Sequence, residues 1–134
     1  MMMHAFLVDL EDKPGALADV AEAIGAKGAN ITSLSGATCG DKGRIAIACD
    51  DEARTRAALT DMSCTFDEKE ITTTTLKNQP GTLGMAARQL AKAGINVESV
   101  MLLGMQGQDI EVGFVTSDPV KARDALATVG STAR

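Results

Sequence analysis

Apolar and polar positions alternate from the start of the chain. Phe6, Val8 and Leu10 fall on one side of an extended segment, His4–Leu10, which predicts a strand. Leu7 on the other side implies that the second face is only partly solvated. Pro14 has no N–H to give and stops the ladder, and Gly15 frees the backbone for a tight approach or a positive φ. From there the period changes. Leu17, Val20, Ala21 and Ile24 recur at helical spacing, predicting a helix over Ala16–Lys27 whose stripe packs on a sheet. Gly28 is its expected stop. Ile31–Thr38 and Arg44–Cys49 then read as a hairpin about Gly40-Asp41-Lys42-Gly43. Asp50 or Asp51 caps a short helix to about Asp61, with Leu59 and Met62 facing inward. Ser63–Phe66 supplies a fourth strand, and the order is βαββαβ.

The whole pattern then returns. Ile71–Leu76 is a strand rich in β-branched threonine. Leu83, Ala86, Ala87 and Leu90 repeat the helical stripe, and Val97–Leu103 and Ile110–Thr116 repeat the hairpin about Gly104–Gln108. Asp118-Pro119 opens a last helix, with Asp as N-cap and Pro at the first position. The pairs Pro14/Pro80, Gly15/Gly81, Leu17/Leu83, Ala21/Ala87, Gly28/Gly94, Asn30/Asn96 and Ser33/Ser99 are identical, without a gap, which marks an internal repeat. Leu126 and Val129 echo Leu59 and Met62 one position late, so the second hairpin carries one extra residue. The expectation is α+β: two ferredoxin-like βαββαβ units, residues 1–68 and 69–134, each an antiparallel sheet with helices on one face. Only Gly130–Arg134 follow the last helix, so the second unit's fourth strand is short or exchanged. Units this small bury little surface, which favours a shared core or interface.

Charge and composition narrow the function. A net charge of −5, and only Phe6, Phe66 and Phe114 as aromatic residues, exclude a base-stacking nucleic-acid surface. No run approaches the roughly 20 apolar residues of a membrane span. Met1-Met2-Met3-His4 lacks the features of a signal peptide, which points to the cytoplasm. Cys39, Cys49 and Cys64 contain no Cys-x-x-Cys pair and read as small buried hydrophobes. His4 is the only histidine and reads as a surface or strand-end residue, and with no second His or Cys at ligand spacing no metal or other cofactor is implied. Asp9, Glu11 and Asp12 form a solvated acidic cluster. No nucleophile–base pair stands out, and the chain does not read as an enzyme.

The chemistry-bearing stretches are the loops Asp12–Gly15 and Asn78–Gly81, with Asn30 and Asn96. Each loop leads from a strand into a helix N-terminus, where free N–H groups and the dipole favour a carboxylate. Asp12 or Asn78 accepts from an ammonium group, and the two later asparagines offer donor and acceptor together. This set suits a free amino acid. Equally, Pro-Gly after a strand is a common turn and Gly-x-Asn a common helix exit.

A strand, then Asp/Asn-x-Pro-Gly-x-Leu, a helix and Gly-x-Asn-Ile/Val, occurring twice, resembles the ACT domain family. The resemblance covers nearly the whole chain. It implies a regulatory module that binds an amino acid or similar small metabolite where ACT units meet. Carried over by position, the ligand residues are Asp12, Gly15, Ala16, Leu17, Asn30 and Ile31 in the first unit. In the second they are Asn78, Gly81, Thr82, Leu83, Asn96 and Val97. Asp12 departs from the amide at Asn78, so the resemblance does not imply two equivalent sites. ACT domains are commonly appended to enzymes, and here the sequence reads as a free-standing tandem pair. A partner enzyme of amino-acid metabolism is implied, and the alternative is a subunit of such an enzyme that binds no ligand and serves only as an interaction module.

Assembly follows from strand order. In the order 4-1-3-2 the second strand is a free edge, which favours a homodimer. An exchange offers another route: Ser63–Phe66 folds back on Ile71–Leu76 while the tail after Val129 completes the first sheet.

Overall fold

The computed structural model describes residues 2–132, with side chains to Ala127. Met3–Lys69 form one compact unit and the chain from Glu70 forms a second. The first contains β1 (His4–Glu11), α1 (Ala16–Ala26), β2 (Ile31–Cys39), β3 (Lys42–Cys49), α2 (Glu52–Asp61) and β4 (Phe66–Glu70). Its sheet runs β2-β3-β1-β4. β3 is antiparallel to both neighbours, with Phe6 opposite Ile47, Leu10 opposite Gly43, and Leu34 and Gly36 opposite Ile47 and Ile45. Alternation therefore puts Phe6, Val8, Ile45 and Ile47 on one face. There they pack with Val20 and Ile24 of α1 and Ala58 and Leu59 of α2. Leu7, on the opposite face, is buried as well. Asp51 caps α2 as its position predicts, accepting from the Arg54 N–H at 3.0 Å.

The fourth strand corrects the sequence reading. Ser63 has φ +56°, and Cys64 N–H returns to the Leu59 carbonyl at 3.0 Å, so both residues close α2 instead of opening a strand. β4 begins at Phe66 and runs through Asp67-Glu68-Lys69-Glu70, a stretch that reads as a linker. Its charges are paired: Asp67 with Arg44 at 2.6 Å, and Glu68 with both nitrogens of the Arg56 fork at 2.8 Å. Phe66 tilts against Phe6 with ring centres 5.9 Å apart. β4 thus lies beside β1 of its own unit, with Asp9 N–H on the Thr65 carbonyl, and the exchange is excluded. Gly130–Thr132, expected as part of a completing tail, belong to the last helix, and Ala133 and Arg134 lie outside the described residues.

The Arg56 fork holds the Glu68 carboxyl below its ordinary value, its hydrogen bond outweighing the opposing effect of burial. A folded pKa below the unfolded one contributes stability above the unfolded value, and this is lost as pH falls through the folded value. Arg56→Ala is therefore expected to flatten the fall of melting temperature below about pH 4.5. Parallel curves for variant and parent in a pH series of thermal melts would show that the fork is not coupled to folding.

The second unit has β5 (Thr72–Lys77), α3 (Thr82–Lys92), β6 (Val97–Gln106), β7 (Asp109–Thr116) and α4 (Pro119–Thr132), with sheet order β5-β7-β6. Leu76, Val112 and Phe114 face Ala86 and Leu90 of α3 and Ala122 and Leu126 of α4. Asp118 caps α4 through the Lys121 N–H at 3.1 Å. The extra residue of this hairpin is absorbed by a register shift between Leu102 and Gly104, which β2 lacks. Its turn is tighter than Gly104–Gln108, because the strands pair as far as Gln106 and Asp109.

Candidate functional site

Both repeated loops fold alike. Gly15 and Gly81 take φ +91° and +90° at the N-caps of α1 and α3, where a side chain is strained. Lys13 N–H donates to Glu11 and Ala16 N–H to Lys13, and Gln79 and Thr82 repeat these bonds to Lys77 and Gln79. Neither helix N-terminus has a side-chain cap, so first-turn N–H groups beyond those of Ala16 and Thr82 have no capping side chain. Each loop is docked on its own hairpin turn, Asp12 N–H on the Asp41 carbonyl and Asn78 N–H on that of Gln108.

In the first unit this loop borders a cleft of about 300 Å³ on the helix-covered face. Asp12, Lys13, Ala16 and Leu17 line one side, Leu34, Gly36 and Thr38 of β2 the other, and Leu10, Gly43 and Ile45 the floor. The aliphatic side chains form the interior, and Glu11, Asp12 and Lys13 are exposed at the rim. Lys13 pairs with Glu11 at 3.1 Å, whereas the Asp12 carboxylate has no partner among the described residues. Leu17 and Leu34 are about half exposed, 49% and 54%, because they border this opening.

Asn30 and Ile31 stand elsewhere. Glu11 of β1 and Cys39 of β2 both face Lys42, while Ile31 faces Cys49 at the far end of β3. The nine residues of β2 separate Asn30 from the level of Asp12 by roughly 30 Å. Asn30 acts through its main chain, its N–H donating to Asp50 Oδ1 at 2.8 Å and its carbonyl accepting from Asp50 N–H at 3.0 Å. Asn96 does the same with Ser117, and Val97 follows it at the far end of β6. In the second unit a cleft of about 390 Å³ is lined by Thr75, Met105, Gln106, Asp109 and Glu111 among others, and by none of Asn78, Gly81, Thr82, Leu83, Asn96 or Val97.

Two further groupings emerge only in three dimensions. His4, Glu52 and Glu68 come within 4.8 Å of one another from β1, α2 and β4. Glu52 accepts from the His4 N–H and meets Nδ1, both at 3.0 Å, and Arg56 holds Glu68, so hydrogen bonds tie the group together. The cysteines divide: Cys49 and Cys64 pack against the core, where burial pushes both thiols up, but Cys39 is exposed at the hairpin end, against expectation.

A βαββαβ unit with a left-handed Pro-Gly turn into its first helix defines a ferredoxin-like class of small α+β domain. Residues 4–62, in the first unit, match the family model of the ACT domain. Among solved structures, protein BT0572 from Bacteroides thetaiotaomicron superposes with a TM-score of 0.80 at 22% identity, over 96% of this chain and 88% of that one. The regulatory subunit of aspartate kinase from Thermus thermophilus, in its ligand-free form, gives 0.68 at 16% identity, over 98% and 91%. That from Thermus flavus gives 0.71 at 15%, over 99% and 94%. At these identities the likeness is one of fold, and it spans both units. No curated protein matches the chain.

Proposed function

We propose that the chain is a regulatory module that binds a free amino acid and has no catalytic centre of its own. The observation that carries this reading is the cleft beside Asp12–Leu17. It combines an unpartnered carboxylate, an uncapped helix N-terminus and an apolar interior. The ligand's ammonium group binds Asp12. Its carboxylate takes the first-turn N–H groups of α1 with Lys13, against the opposing charge of Asp19 in that turn. The side chain enters between Leu17, Leu34 and Ile45. The aspartate kinase regulatory subunits, built on the same fold, support a role beside an enzyme of amino-acid metabolism.

Assembly belongs to this reading. β2 and β6 are sheet edges, and Val100, Leu102 and Met105 on β6 are exposed. A second copy pairing on such an edge satisfies its backbone and covers apolar surface, giving a homodimer in which ACT units meet beside the ligand. No described helix is long and apolar enough to cross a membrane. The three cysteines are unpaired, in keeping with a cytoplasmic setting.

A ligand seen only by the folded state raises the melting temperature, and at about a hundredfold excess over Kd the gain is roughly 2.7 kcal/mol. Sensing of metabolite pools calls for a Kd of about 10 μM to 1 mM. A thermal-shift screen of the proteinogenic amino acids at about 10 mM is expected to show a clear rise for at least one. No movement for any of them would reject ligand binding and leave the interaction subunit as the reading.

A further inference from the structure

We infer that the chain holds one amino-acid site, in the first unit only, and that it selects aliphatic side chains through room left by Gly36 and Gly43. The inference rests on the proposed function above and deepens it. Register makes the two units comparable position by position. Leu10 faces Gly43 where Leu76 faces Ile110. Gly36 faces Ile45 where Leu102 faces Val112, and Thr38 faces Gly43 where Met105 faces Ile110. All these residues lie on the helix-covered face. Thus glycine, threonine and glycine around the first cleft are replaced by leucine, methionine and isoleucine, and Ala16 at the helix start by Thr82. In the second unit larger side chains stand at the register positions that border the first unit's cleft. Leu102 and Met105 are 54% and 62% exposed because they stand at this open edge.

Gly36 and Gly43 contribute differently. A Cβ on Gly36 would come 2.6 Å from Ile45 Cγ2, so the Ile45 side chain lies over this glycine as part of the floor. A Cβ on Gly43 would meet Thr38 Cγ2 at 3.4 Å and the Leu10 carbonyl oxygen at 3.6 Å, which are ordinary contacts. Gly43 therefore accepts a side chain without backbone strain, and that side chain projects into the cleft. Glu11, Asp12 and Lys13 stand at the rim, and the Arg44 guanidinium is held by Asp9 and Asp67. The interior therefore presents mainly hydrocarbon, and a valine, leucine or isoleucine side chain fits it. A charged side chain loses its hydration without a partner.

Isothermal titration of the full chain with L-valine, L-leucine, L-isoleucine, L-aspartate and L-lysine tests this. The expected result is one ligand per chain, with an aliphatic amino acid bound at least tenfold more tightly than either charged one. Gly43→Ile, which installs the second unit's residue, is expected to weaken that binding at least tenfold in a chain that melts normally. Thr38→Met, at an exposed strand position, narrows the same cleft and is expected to act likewise should Gly43→Ile fold poorly. Two ligands per chain, preference for a charged amino acid, or unchanged affinity in folded Gly43→Ile and Thr38→Met would each overturn the inference and leave amino-acid binding intact. Absence of any binding by the parent chain would instead overturn the proposed function on which it rests.

Discussion

Phe6→Ala is expected to cost about 3–5 kcal/mol, the range for truncating a fully buried aromatic ring. Phe6 has no exposed surface, faces Ile47 across the central strand pair and touches the ring of Phe66. Truncation removes the contacts to both and leaves a cavity that two β-strands cannot close over. Domains have roughly 5–15 kcal/mol in all, so the variant forfeits a large share. Phe114→Ala is expected to match it in the second unit, for a reason visible only in the register. Phe6 opposite Ile47 in the first unit becomes Thr72 opposite Phe114 in the second. The aromatic ring has moved to the partner strand, and each core keeps one buried ring. Urea denaturation gives both values, and a loss below about 1 kcal/mol for either would contradict the packing described.

Most of the fold was legible because it depends on local rules. Period-2 alternation in β1 and β3, helical spacing in α1 and α3, and the caps Asp51 and Asp118 involve residues close in sequence. The one-residue surplus of the second hairpin was readable from the late echo at Leu126, and it appears as the shift at Leu102/Gly104. β4 was misplaced because its signal is not local. Asp67 and Glu68 look like solvated linker charges until Arg44 and Arg56 are brought beside them from β3 and α2. The candidate site was half legible for the same reason. Asp12, Ala16 and Leu17 are neighbours in sequence and stay neighbours at the cleft. Asn30 is tied to them only by the repeat, and the length of β2 carries it to the other end of the sheet. Gly36 escaped notice because a glycine in a strand signals nothing until its cross-strand partner is known, and Gly43 was read as a turn residue although β3 begins at Lys42.

Ile24→Ala is expected to cost about 2–5 kcal/mol, and Leu17→Ala well under about 1 kcal/mol, although helical spacing places both on one apolar stripe. Ile24 has no exposed surface and lies among Phe6, Ile47 and Leu59, so its loss opens a cavity in the centre of the core. Leu17 is 49% exposed at the mouth of the cleft, and so is little desolvated by folding. Alanine's higher helix propensity, a few tenths of a kcal/mol in either case, is too small to alter the order. The same contrast recurs in the second unit, where Leu90 is buried and Leu83 is 48% exposed. A leucine kept at this place in both units, half outside the core, has a use other than packing beneath the helix. In the first unit the use we propose is to cover the side chain of a bound amino acid. Leu17→Ala is therefore expected to leave the denaturation midpoint nearly unchanged while weakening amino-acid binding several-fold, and Ile24→Ala to shift the midpoint strongly. Denaturation and titration on the same two preparations decide it. Equal destabilisation by both would mean that the stripe is core along its whole length, and that Leu17 contributes to folding rather than to the ligand.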